Sequence, residues 1–159
     1  MIKQVLLPIL GVIIFIVAVG LFVQKSGNIS VNPTPKASSV KINNTEIQVT
    51  LAKTKEERVK GLSGTTSLAE NSGMLFVFDG NTNPIFWMKD MIIPLDIIWI
   101  KNNKIIKIDK NVPEPKLGTP DTKLAKYSAN QSIDYVLEVN AGFSEKNNIK
   151  VGDSVDVVQ

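Results

Sequence analysis

The chain has no cysteine and no histidine in 159 residues. Disulfides, thiol nucleophiles, cysteine-linked lipids, Cys/His zinc sites and serine–histidine mechanisms are therefore excluded. Redox compartment stays open, because cysteine-free chains occur on both sides of a membrane. No block of five or more like charges occurs, so the electrostatic footprint of a nucleic-acid binder is missing and no nucleic-acid partner is expected. Strands never alternate with long helices, which argues against a doubly wound sheet, and no internal repeat is present. The spacing of acidic residues matches no calcium loop: Asp79-x-Asn81-x-Asn83 starts like one, but Pro84 follows and the twelfth position lacks a glutamate. No metal and no cofactor are expected.

Hydrophobic residues make up 43% of the chain, enough for a packed core. The net charge is +3, and setting aside Lys3 and Lys25, which flank an apolar run, leaves +1. That run, Val5 to Val23, holds 19 residues without a charge. As a helix it measures about 28 Å, close to the roughly 30 Å hydrocarbon core of a bilayer. It is longer than the apolar region of a cleaved signal peptide, although Ala18-Val19-Gly20 loosely fits a cleavage site. Residues 1–25 are therefore read as a membrane anchor or signal peptide. Residues 26–39 form a polar linker containing Pro33 and Pro35, and residues 40–159 the domain proper. The short head before the span points to a domain on the extracytoplasmic side, secreted if the segment is cleaved.

The domain reads as seven or eight short strands. Asn43-Asn44 and Asn102-Asn103 each join two alternating segments, as tight hairpin turns do. Thr54-x-x-Glu57 fits a capping box that opens a short helix, with Gly61 or Gly64 to end it. Gly73 to Phe78 is apolar on both faces and predicts a central strand. Ile85 to Ile93 continues the strand pattern, as do Leu95 to Lys101, Lys104 to Asp109, Ser132 to Val139 and Ser154 to Val158. Residues 112–131 lack a period and predict a long functional loop or flap. The expected class is mainly β: a small jelly-roll-like sandwich or partly open barrel, with one or two short helices.

Strand periodicity places Asp96 with Ile98 and Ile100, Lys89 with Trp87, Asp90 with Phe86 and Met88, and Glu138 with Val136 and Asn140. An acid on an apolar face is costly unless paired or protonated, so Arg58 and Lys89 are the expected partners of Asp96 and Glu138. One reading is a polar cluster of Arg58, Lys89, Asp96 and Glu138 facing a cleft, in which Asp96 and Glu138 are the candidate catalytic pair for acid–base or glycosidic chemistry. The other is a buried ion-pair set that fixes strand register. Trp87 can stack on a sugar ring if exposed, and Trp99 fits a core position.

Several words occur in order: Arg58-x-x-Gly61-Leu62, Gly73-Met74-Leu75-Phe76-Val77-Phe78, Phe86-Trp87-Met88-Lys89, Ile93-Pro94-Leu95-Asp96-Ile97-Ile98, Tyr135-Val136-Leu137-Glu138-Val139-Asn140-Ala141-Gly142 and Gly152-Asp153. Together, from Val40 to the C-terminus, the chain resembles the domain of unknown function 192 family. The resemblance implies a jelly-roll-like sandwich in a small bacterial or archaeal protein, and implies no activity. It departs from the family pattern at Ser63 and Thr65, and at Lys89-Asp90-Met91, where an Asn-Thr pair usually follows the lysine. Arg58, Trp87, Lys89, Asp96 and Glu138 do match.

The leading expectation is thus an anchored β-domain, leaning away from an enzyme. It would bind a carbohydrate or another envelope component through Arg58, Trp87, Lys89, Asp96 and Glu138. The alternatives are a carboxylate-based hydrolase on envelope polysaccharide and a structural or assembly protein without a ligand site.

Overall fold

The computed structural model describes residues 38–158. The expected span Val5 to Val23 and most of the linker lie outside those residues. No helix among the described residues is long and apolar enough to cross a membrane.

Both Asn-Asn turns form. β1 (Ser39–Ile42) pairs with β2 (Thr45–Ala52) so that Ile42 faces Thr45, with Asn43 at φ 55°. β5 (Leu95–Lys101) pairs with β6 (Lys104–Val112) so that Lys101 faces Lys104, with Asn102 and Asn103 at φ 48° and 55°. Asparagine tolerates this left-handed backbone, which the right-handed twist of a hairpin demands.

β2 is followed by α1 (Lys55–Lys60). Thr54 accepts from the Glu57 amide at 3.1 Å, and the Glu57 carboxylate accepts from the Thr54 amide at 2.8 Å, completing the capping box. Gly61 ends the helix at φ 49°. The chain then returns to β3 (Ser72–Thr82), which runs parallel to β2. A parallel neighbour requires a crossover, and this crossover carries α1 over one face of the sheet. β8 (Ile133–Asn140) inserts between β3 and β5. A short helix, α2 (Phe143–Lys146), leads to β9 (Val155–Val158) beside β1.

Seven strands form one sheet in the order β6-β5-β8-β3-β2-β1-β9. The sheet curls until its edges meet: Lys104 bridges Ser154, and the Ile105 amide donates to the Asp153 carbonyl at 3.0 Å. This is the partly open barrel, with two short helices. The two facing sheets of a jelly-roll-like sandwich are not what these strands build. Closure protects edges that an open sheet would leave unpaired.

Each face of the sheet has its own core. All seven strands contribute to the inner one, which includes Val40, Ile47, Leu75, Ile98, Ile105, Leu137 and Val155. The outer one gathers Phe76, Leu95, Ile97, Trp99 and Val136 under Leu62, Met88 and Met91. β5 is buried on both faces from Leu95 to Ile100, as its unbroken apolar run requires.

Two expected segments differ. Ile85 to Ile93 forms a strand only at β4 (Phe86–Trp87), because Asp90 adopts φ 55° and turns the chain. Residues 112–131 are not free of structure: they hold a 3-10 turn at Asp121–Lys123 and β7 (Lys126–Tyr127), which pairs with β4. Sequence periodicity does not detect a two-residue strand, since its partner lies some forty positions away.

Candidate functional site

The site begins with Phe86. Its ring packs edge-on against Phe76 at 4.9 Å and Trp99 at 5.4 Å, and against Phe78 at 6.3 Å. These tilted geometries suit aromatic quadrupoles. Phe86 therefore pins the β4–β7 ribbon to the outer face. Strand alternation then turns its neighbour outward, and Trp87 is 45% exposed. Trp99 is fully buried, and its indole Nε1 donates to Asp109 at 2.8 Å. Of the two tryptophans, only Trp87 is free to touch a ligand.

Between α1 and this ribbon lies a solvent-open pocket of about 270 Å³. Phe76, Phe78, Phe86, Leu62, Met91, Pro84 and Ile85 supply apolar walls, and Trp87 stands at the mouth. Lys55, Arg58, Lys60 and Lys89 bring four cations to its lining, and Glu138 is the single acid.

Glu138 sits on β8, opposite Met74 of β3 and Ile97 of β5. It is 5% exposed, and its carboxyl has no hydrogen bond or ion pair among the described residues. Burial, with no compensating partner, pushes its pKa up to about 8. At neutral pH the group is mostly a carboxylic acid, able to donate as well as accept.

Among the described residues, Arg58 does not pair with an acid. Its Nη1 donates to the carbonyls of Lys53 at 2.5 Å and Val77 at 3.0 Å, tying α1 to β3, while the guanidinium lies 5.1 Å from the Phe78 ring. Those bonds occupy only part of its five-donor fork. Lys89 pairs with Asp121, whose hydrogen bond and charge raise the lysine pKa. Its ammonium also sits 5.9 Å from the Trp87 ring. The turn that carries it is held from below: Ser63 Oγ donates to the Lys89 carbonyl at 3.0 Å, and the Gly64 amide to the Asp90 carbonyl at 2.9 Å.

Asp96 is elsewhere. It is fully buried on the inner face. Oδ1 accepts from the amides of Asn111 at 2.8 Å and Gly142 at 3.1 Å, and Oδ2 from the amide of Ser144 at 2.9 Å. The aspartate thus joins a bulge in β6 to the first turn of α2, and carries backbone donors that would otherwise be orphaned. The expected partnership of Arg58 and Lys89 with Asp96 and Glu138 does not form: backbone amides serve one acid, and no described residue serves the other. Asp96 and Glu138 occupy adjacent strands but opposite faces, so they share no cleft. No cluster of three or more acids that could hold a metal occurs among the described residues.

Arg58, Trp87, Lys89 and Glu138 are thus brought to one pocket, and Asp96 is not. Sequence reasoning missed Lys55 and Lys60, and the role of Phe86. The lysines sit on the same short helix as Arg58, which was a usable signal. Asp121 carried none, because its position comes from the pairing of β4 with β7.

The family model described as "Uncharacterized ACR" matches residues 38–157. This chain belongs to the DUF192 family. Among solved structures, it is similar to a Sinorhizobium meliloti protein described as a candidate transcription regulator. That match has 28% identity and a TM-score of 0.66, covering 76% of this chain and 94% of the other. It is also similar to a protein of unknown function from Novosphingobium aromaticivorans, with 27% identity and a TM-score of 0.65, covering 82% and 94%. Comparison with curated proteins gives no match. The DUF192 domain and its barrel are thereby placed, and the pocket is left to be argued on its own chemistry.

Proposed function

We propose that this DUF192 domain is a binding module that takes a compact ligand into the pocket beside Trp87, without covalent chemistry. Glu138 carries the reading. An acid buried among aromatic rings without a partner weakens a fold, since desolvation works against its charged form. Groups perturbed in this way concentrate where a ligand or reaction uses them. The exposed indole of Trp87 and the four lining cations supply the rest of a recognition surface.

The apolar run Val5 to Val23 and the Pro-containing linker support a tether that holds the domain on the extracytoplasmic side. An envelope component is the partner class that fits that location. A hydrolase built on Asp96 and Glu138 gains no support, because the two acids face opposite sides of the sheet. A purely structural role is opposed by Trp87 and Lys89 lining one accessible pocket.

The test uses methyl-labelled methionine, since Met91 lines the pocket and the chain has only four methionines. A library of single-ring compounds is titrated into the full chain. Saturable movement of the Met91 methyl, lost in Trp87→Ala, is expected. A library that leaves Met91 unmoved rejects the proposal.

A further inference from the structure

We infer that the pocket selects a single-ring organic anion, with its acidic group toward the lysine and arginine side chains and an uncharged hydrogen-bonding group on Glu138. This rests on the binding reading above and narrows it to a ligand class.

Three observations lead there. The first is size. A cavity of about 150 Å³ accommodates benzene, so about 270 Å³ holds one ring with a short substituent and little more. The second is wall chemistry. Phe76, Phe78, Phe86 and Met91 offer a ring apolar surface but few polar partners. A sugar ring would bury hydroxyls against them, and each one left unpaired is costly. An aromatic or other apolar ring avoids that cost. The third is charge. Lys55, Arg58 and Lys60 face the space from α1, and Lys89 from the turn after β4. β3 and β5 present only Met74 and Ile97 opposite Glu138, and Asp96 faces the other side of the sheet. Asp121 already balances Lys89, which leaves Lys55, Arg58 and Lys60 against Glu138, itself uncharged at neutral pH, so the field favours an anion. An amine would meet those cations and find no carboxylate except Asp121, which Lys89 already occupies.

Glu138 gives the site a signature. As an acid it donates to a hydroxyl or carbonyl on the ligand. Once ionised it cannot donate, and it adds negative charge beside an anion. With a midpoint near 8, affinity should fall about tenfold between pH 6.5 and pH 9.

The experiment follows the Met91 methyl of the full chain against three probes: 3-(4-hydroxyphenyl)propionate, tyramine and glucuronate. The first should bind at pH 6.5, with the other two at least tenfold weaker. Raising the pH to 9 should weaken the first about tenfold. Glu138→Gln, which keeps a donor but cannot ionise, should bind at pH 6.5 and lose the pH dependence. Equal or tighter binding of tyramine or glucuronate overturns the inference, and so does an affinity flat from pH 6.5 to 9 in the unmodified chain. If none of the three moves Met91 but other compounds do, the anion assignment falls and the binding module stands. If nothing moves Met91, both fall.

Discussion

Asp96 and Glu138 sit one position out of register on neighbouring strands, and the sheet sends them to opposite sides. Both are buried acids. On the inner face Asp96 collects three backbone amides and holds β6 to α2. On the outer face Glu138 has no partner among the described residues and opens onto a pocket. The same chemical group is thus a structural joint on one side and a frustrated group on the other. The difference lies in what the sheet faces. The inner side is closed by the fold's own backbone, which must spend its donors somewhere. The outer side is covered by a helix, a ribbon and loops that leave a gap.

The comparison breaks most visibly if Asp96 is removed. Asp96→Ala strands three amides, that of Ser144 buried and those of Asn111 and Gly142 partly so, at about 1–3 kcal/mol each, so a loss on the order of 5 kcal/mol is expected in urea denaturation. Asp96→Asn keeps one acceptor and should lose roughly half of that. If Asp96→Ala unfolds with an unchanged midpoint, the inner face does not depend on this joint.

Glu138 should do the opposite. Its folded pKa of about 8 lies above the ordinary value of 4.5. Below the lower value both states hold the proton, and the group contributes nothing. Between the two, only the unfolded chain releases it, so stability falls as pH rises. Above the folded value the penalty is complete, on the order of 5 kcal/mol. Glu138→Met removes the carboxyl at similar volume. It should be nearly neutral at pH 4.5 and stabilising by up to that amount at pH 9. Parallel stability curves for the two chains across that range would contradict the frustrated-acid account.

The two acids also show what a sequence can disclose. Their faces were legible, because β5 and β8 run regularly and period-two alternation sorted Asp96 from its neighbours correctly. The hairpins and the capping box were legible too, being local chemistry of asparagine, threonine and glutamate. Partners were not. Pairing acids with Arg58 and Lys89 assumed that side chains must neutralise side chains, whereas Asn111, Gly142 and Ser144 supplied amides from places set by a bulge and a helix start. Asp90 was sorted with Phe86 and Met88, yet it is exposed, because β4 ends at Trp87 and the left-handed backbone of Asp90 turns the chain. The anchor prediction concerns residues outside those described and is untouched by any of this.

Gly73 tests whether the two faces are mechanically joined. A Cβ there would lie 2.5 Å from the Glu138 carbonyl and 3.0 Å from Val139. Backbone cannot yield as a side-chain tip can, so β3 and β8 would have to separate. Gly73→Ala should cost about 2–3 kcal/mol, and it should perturb the Met91 methyl although residue 73 does not line the pocket. A stability loss that leaves Met91 still would show that the two cores respond independently.

The smallest expected stability effect sharpens the comparison furthest. Trp87 is 45% exposed and follows the residue that pins the ribbon. Phe86, not Trp87, makes the edge-on aromatic contacts with Phe76, Phe78 and Trp99. Trp87→Ala should therefore shift stability by less than about 1 kcal/mol, while Phe86→Ala should cost about 3 kcal/mol or more. If Trp87 serves a ligand, its removal should abolish the saturable Met91 response while the melting temperature barely moves. Adjacent residues would then divide the same labour as Asp96 and Glu138, one spent on the fold and one held for a partner. A large destabilisation by Trp87→Ala would assign that indole to the core and leave Glu138 to support the site alone.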